Sequence, residues 1–321
     1  MTWMVWRQHR IEAALAAGLL VLLGACLVAA DVAIAGAATQ VGLGDCLAHY
    51  TSASCGGKVR EFVQSFLTLS PNPLSLTPSV MGLKALPALA GVFLGAPLVA
   101  REVEQGTYRL AWTQSITRSR WLGGHVIGVV GIVLVASAAA QVAVNRVLSP
   151  LLDAGDLDVF SVSRFGGLMF DAIGIVPVAY TLFAVALGTT CGAVVRRTLG
   201  AMVLVLVLFV GVRVSVSEIA RPQYMPAITK TVALESTRDP QQLQVPTGSW
   251  VMDLSVDQGD GHRGNVPMCS PPRSGCVDRY TVTYQPGDRF WRFQLIESGI
   301  YLGLTVLLLG ATWLLVQRRT A

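Results

Sequence analysis

Charge is scarce in this chain. Asp, Glu, Lys and Arg make up 13% of its 321 residues, against roughly a quarter in soluble domains. That scarcity excludes one large water-soluble core. Catalytic signatures are missing too. There is no H-E-x-x-H, no G-x-S-x-G and no C-x-x-C. No G-x-x-x-x-G-K-[ST] stretch occurs either, so this chain does not hold ATP through a P-loop. No catalytic residue, no metal and no cofactor is assigned to it. The net charge is +5, but no basic stripe with interleaved stacking aromatics appears, which excludes nucleic acid as a partner. Internal repeats are lacking, and with them the usual pointer to an inverted-repeat secondary transporter.

What is present is a series of apolar runs. A membrane-spanning helix needs about 20 mainly apolar residues. Six stretches qualify, roughly Ala13–Ala35, Val80–Ala100, Leu122–Val144, Leu168–Val195, Leu199–Ser217 and Ile296–Val316. The second is interrupted by Lys84, Pro87 and Pro97; prolines are tolerated where neighbours re-satisfy the freed carbonyls. The expected class is an all-α polytopic membrane protein with six spans, embedded among membrane lipids.

Orientation follows from Lys and Arg beside the spans. Arg7 and Arg10, then Arg101, Arg109, Arg118 and Arg120, then Arg196 and Arg197, then Arg318 and Arg319 all fall on one side if the spans alternate. That places both termini in the cytoplasm of a cell with a plasma membrane. One transmembrane domain is expected over residues 1–321. Within it, residues 1–12 form an interfacial segment with Trp3, Met4 and Trp6 beside Arg7, or else a plain helix anchor. Residues 218–295 form the large external region. In that region Arg279–Tyr284 alternates like a short strand, and Phe290, Trp291 and Phe293 form an aromatic belt before the last span.

Four of the six cysteines fall in external loops, Cys46 with Cys55 and Cys269 with Cys276. Two local disulfides are expected, each worth about 2.5–3 kcal/mol in the chain-entropy model. Other pairings remain open, and so does a zinc site using His49 and His262, although C-x2-C spacing is lacking. The first run is read as an uncleaved helix. The alternatives are a lipoprotein signal at Leu23–Cys26 and an A-x-A-like site at Ala33–Ala35.

Charges near the external ends of spans are Asp31, Lys84, Asp171, Arg213 and Glu297. A lone Arg at mid-membrane costs about 2.5–3.5 kcal/mol on insertion scales. Arg213 and Glu297, at comparable depth on the fifth and sixth spans, are therefore expected to pair or to share a polar network near the external face, as a packing salt bridge or as a gate or substrate-path element; Asp171 is a further intramembrane polar candidate. His9 and His125 lack carboxylates at ligand spacing and read as interfacial or packed residues.

The most informative segment is REVEQGTYRLAWTQSITRSRW, residues 101–121, a polar stretch rich in helix formers between two apolar runs. It reads as a structured surface segment tied at both ends to membrane helices. Glu102 and Glu104 cannot share one helix face, Gly106 permits a bend, and Thr107 suits a helix cap.

This AREVEQGT stretch resembles the R-E-x-E-x-G-T motif of ABC-2-type permeases of bacterial ABC exporters. The opening MTWMVWRQHR and the YQPGDRFWRFQLIE lead-in to the last helix are similar to the actinobacterial drug or antibiotic export branch. The resemblance implies a type V, ABCG-like fold with two permease subunits, homodimeric or closely homologous, around a central path. It also implies separate ATPase subunits that bind ATP and Mg, and a coupling helix contacting them. Arg101, Glu102, Glu104, Gly106 and Thr107 match the motif residue by residue. The implied function is efflux of a drug-like, antibiotic or lipid-like substrate across the bacterial plasma membrane. A non-transporting receptor or assembly protein acting through its external loops is the alternative. A secondary transporter fits less well, because no acidic residue sits at mid-depth.

Overall fold

The structure, a computed structural model, describes residues 24–25, 27–42, 44, 57–59, 61–62, 76–104, 118–155, 164–166, 169–235, 245–246, 248–258, 262–264 and 277–318. Five helices are long and apolar enough to cross a membrane: Met81–Arg101, Gly128–Ser149, Val176–Val195, Thr198–Gln223 and Gly287–Gln317. A shorter apolar helix, α1 (Leu27–Val41), precedes them. Most of the expected first span, and the interfacial segment 1–12, lie outside the described residues.

The first long span is a composite of α2 (Leu76–Ala90), a π turn (Gly91–Gly95) and α3 (Ala96–Glu104). Then come α4 (Arg118–Gly155), α5 (Val176–Val195) and α6 (Thr198–Ser215). The last continues through a π turn (Val216–Ala220) into a 3-10 turn (Arg221–Gln223). Four strands follow, β1 (Ile228–Glu235), β2 (Trp250–Gln258), β3 (His262–Gly264) and β4 (Val277–Gln285), before the closing helix α7 (Phe290–Arg318).

The centre of the bundle is α5. Of its span, 78% is buried, against 17% for the spans built on α4, α6 and α7. Every other long helix packs on it, and those partners turn Val203, Val207, Val210, Leu302, Val306 and Leu307 outward, as a lipid-facing surface requires. The tightest contact is between α5 and the α2–α3 rod. A Cβ on Gly95 would lie 2.6 Å from the Val185 carbonyl oxygen, and one on Gly192 would lie 2.6 Å from that of Ala96. Gly91 and Gly188 make equally close backbone approaches. Each rod thus presents two glycines four residues apart, the spacing that lets membrane helices touch backbone to backbone.

The all-α expectation needs correction. The four strands form an antiparallel sheet in the order β1-β4-β2-β3. Thr229 faces Thr283 and Thr231 faces Thr281 across β1 and β4, and each pair shares a hydroxyl bond. The buried face holds Val282, Tyr284 and Val245, with Ile228, Val251 and Leu254 packed against them. Alternation in Arg279–Tyr284 marks one strand of this sheet. Its partners are less legible because β1 and β2 mix charged and small residues.

Span ends also differ from expectation. The fourth begins at Val176 rather than Leu168, because the chain turns at Gly174 (φ 78°) and Pro177 then sits in the first helical turn. The fifth continues past Ser217, so Arg221 belongs to its end and not to a loop. The last begins at Phe290, which places the aromatic belt inside its first turns. There Phe290 and Phe293 are buried and Trp291 is exposed. Phe290 and Phe293 join Phe165, Phe170 and Trp250 in edge-to-face and tilted contacts that seat the sheet on the bundle.

Candidate functional site

At the sheet-bearing end of the bundle, charged residues from four segments converge. Asp171 comes from the turn before α5, and Lys84 from α2. Arg213 and Arg221 come from α6 and its terminal turn, and Glu297 from α7. Arg221 is the hub. Its Nη2 lies 2.6 Å from Asp171 Oδ1 and 2.8 Å from Glu297 Oε1, and its Nε donates to Glu297 Oε2 at 2.8 Å. Arg213 spans the same two carboxylates, with Nη2 2.8 Å from Asp171 Oδ2 and Nη1 3.3 Å from Glu297 Oε1. Lys84 Nζ reaches Asp171 Oδ2 at 3.4 Å. The Tyr180 hydroxyl donates to Glu297 Oε1. Both guanidinium groups lie over aromatic faces, Arg213 at 3.7 Å from the Tyr180 centroid and Arg221 at 4.3 Å from that of Phe170.

Burial makes these contacts strong. The Glu297 side chain is fully buried and that of Arg221 is 4% exposed. Charges at such depth persist only when paired and hydrogen-bonded. Burial opposes ionisation of Asp171, but Arg213, Arg221 and Lys84 outweigh it and hold its carboxyl below the usual carboxylate range. Among the described residues the cluster sets three cations, Lys84, Arg213 and Arg221, against two carboxylates, Asp171 and Glu297. The arrangement is a set of paired charges that fixes the turn before α5, the end of α6 and the start of α7 to one another.

Neighbouring side chains fix the turn that carries Asp171. Gln294 of α7 accepts from the Ile175 and Val176 amides through Oε1, at 3.1 and 3.0 Å. Its Nε2 donates to the Phe170 and Ile173 carbonyls. It therefore caps α5 from another helix, supplying acceptors for two of the orphan amides at a helix start. Asn145 of α4 accepts from the Gly174 amide at 3.0 Å, and Gln141 donates to the Ala172 carbonyl at 2.9 Å.

The opposite end of the bundle has a lighter device. Arg196 closes α5 in the left-handed region (φ 57°), and two residues later α6 begins. Glu104, at the end of α3, accepts from both the Thr198 amide and the Thr198 hydroxyl, at 3.0 and 2.7 Å. A carboxylate at a helix N-terminus is favoured by the helix dipole. These bonds hold the exposed Glu104 carboxyl below its usual range.

The structure thus brings Lys84, Asp171, Arg213 and Glu297 together, and adds Arg221 and Tyr180. Arg221 escaped the sequence reading because the span was ended four residues before it. The signal was available: an Arg two helical turns beyond Arg213, directly before a proline. Arg101, Glu102 and Glu104 lie at the end of α3. Gly106 and Thr107 lie outside the described residues, as do Cys46, Cys55, Cys269 and Cys276.

No curated protein and no solved structure matches this chain. The family model described as ABC-2 membrane transporter related matches residues 17–221, which is more than half of the sequence. The match covers the spans through α6 together with Lys84, Asp171, Arg213 and Arg221. With its apolar helices and this match, the chain belongs to the ABC-2 membrane transporter related family, as a multi-pass membrane transporter permease.

Proposed function

We propose that this chain is the permease subunit of an ABC exporter of the actinobacterial drug or antibiotic branch, with a type V, ABCG-like arrangement. A second permease subunit would complete the path, and separate ATPase subunits would power it. The bacterial plasma membrane is the proposed location, with both termini in the cytoplasm and the sheet outside. The family match over residues 17–221 carries this reading, since it includes the whole Arg101–Trp121 segment.

Coupling is proposed to run through that segment. Its root, Glu104, is hydrogen-bonded to Thr198 at the start of α6. A push from an ATPase on residues 101–121 would therefore reach the α5–α6 turn as well as α3 and α4. Motions of packed helices as rigid groups are a common switching mode. The test is copurification with the product of a neighbouring gene carrying Walker motifs, followed by reconstitution. Glu104→Ala combined with Gly106→Leu should lower transport while the protein still reaches the membrane. Unchanged transport and unchanged substrate-stimulated ATPase activity in that double mutant would defeat the coupling role.

A further inference from the structure

A cavity of about 380 Å³ opens where the sheet meets the bundle. That volume lies in the range of small-molecule sites. Its inner surface includes Lys84, Asp171 and Arg221 from the charge network. Exposed Glu218 stands at its rim beside Ser217, whose hydroxyl donates to Glu218 Oε1 at 3.4 Å. One wall is apolar, made by Trp250 and Met252 of β2. Met252 sits at the irregularity where β2 slips its register against β4 between Val251 and Asp253. Such bulges re-aim a side chain out of the regular alternation. Trp250 is held from behind by Phe165 and Phe293, with centroids at 5.7 and 6.5 Å.

The charges of this cavity are separated by depth. Among the described residues the network inside holds Lys84, Arg213 and Arg221 against Asp171 and Glu297. Asp171 is already engaged by Lys84, Arg213 and Arg221, so it offers little to an incoming cation. Arg221, nine-tenths buried and more, makes its network bonds through Nε and Nη2; none of them uses Nη1. The rim carries the opposite sign on Glu218. A ligand with only a negative charge would meet Glu218 on entry, and one with only a positive charge would meet Lys84 and Arg221 inside. A molecule carrying both charges a few atoms apart satisfies each.

We propose that this cavity binds a small zwitterion, with its acidic group inward on Lys84 and Arg221, its ammonium group at Glu218, and its apolar part against Trp250 and Met252. The chemistry is that of a free amino acid or of an ammonium-bearing phosphate headgroup. The site lies on one chain and its readout is binding, so it stands or falls apart from the export reading.

The test is calorimetric titration of the purified full-length protein with leucine, with leucinamide, which lacks the anion, and with 4-methylpentanoate, which lacks the ammonium. Leucine should bind at least about tenfold more tightly than either, the value of one charge-assisted hydrogen bond. Lys84→Gln should weaken leucine by about tenfold on the same grounds. Glu218→Gln, at an exposed position outside the network, should bind leucine no better than 4-methylpentanoate. O-phosphoethanolamine and nanodiscs of phosphatidylethanolamine or phosphatidylglycerol separate the two sources. Phosphoethanolamine binding that phosphatidylethanolamine nanodiscs suppress assigns the site to a lipid headgroup; leucine binding that neither lipid suppresses assigns it to a free zwitterion. Absence of binding by both zwitterions, equal binding of leucine and 4-methylpentanoate by the unmodified protein, or binding indifferent to Glu218→Gln would overturn the proposal.

Discussion

The two ends of the bundle solve the same problem by different physics. Each must hold helices α5 and α6 against the α2–α3 rod. The sheet-bearing end does it with five charged side chains, two of them nearly or fully buried, and with a buried Gln294 cap. At the other end, among the described residues, an exposed carboxylate caps a helix start. Between them, glycines let the backbones touch. Buried ions are costly to unpair, so the sheet-bearing end resists partial opening. An exposed cap is weak and screened by water. On that ground the first end is expected to be the more rigid one and the second the one that yields.

The sharpest way to break this contrast is at Glu297. Glu297→Ala strands the guanidinium groups of Arg213 and Arg221 with one carboxylate between them. Removing one partner of a buried ion pair costs about 3–5 kcal/mol. A large drop in melting temperature of the detergent-purified protein is expected, and an unchanged melt would show that the network does not hold this end together.

A smaller effect is expected midway along the rod. At Gly188 an added Cβ would sit 2.7 Å from the Ala96 nitrogen and the Gly95 carbonyl carbon. Gly188→Ala should destabilise by about 1–3 kcal/mol, the range for overpacking. Gly211 has nothing within 4 Å of the same position, so Gly211→Ala is the control and should be neutral or slightly stabilising. Equal effects of the two substitutions on the melt would contradict the close backbone packing.

At the yielding end, Arg196→Gly removes a left-handed non-glycine residue at the end of α5. Gains and losses nearly cancel there, because glycine relieves the strain but loosens the unfolded chain. A stability change within about 1 kcal/mol is expected, again read by thermal melting.

The smallest global effect belongs to Glu104. Its lowered folded value means that its contribution is present above the ordinary carboxylate range and is lost as pH falls through that lowered value. Hydrogen exchange at the Thr198 amide should therefore be faster in Glu104→Ala at neutral pH. In the unmodified protein, protection corrected for intrinsic exchange should fall toward that of the variant on acidification. Protection at Thr198 equal in both proteins at neutral pH would show that the cap contributes nothing.

Much of the bundle was legible. The apolar runs located all five described spans, because hydropathy is a local and additive property. Charge counting picked out Asp171, Arg213 and Glu297, since a charge beside an apolar run demands a partner. The glycine pairs Gly91–Gly95 and Gly188–Gly192 were written in the sequence at the known small-residue spacing, but spacing does not say which two helices meet. The sheet was harder to read. Only Arg279–Tyr284 alternates cleanly, while β1 and β2 carry Lys230 and Asp253 on exposed positions. Helix ends were misjudged where a turn depends on a distant side chain, as at Val176, whose amide is capped by Gln294 from 118 residues away.

The sequence by itself determined that this is a membrane chain of apolar helices, with polar segments between them and with charges that had to find partners. Those properties follow from composition over windows of about 20 residues. Only the tertiary structure decided who the partners are. Arg221 meets Asp171 across 50 residues and Glu297 across 76. It also decided that the exposed Glu104 carboxylate meets Thr198, 94 residues away. The physical reason is that solvation cost is set residue by residue, whereas its relief needs an oppositely charged or hydrogen-bonding group within about 3 Å. Only the packing of α2, α6 and α7 around α5 brings such groups that close.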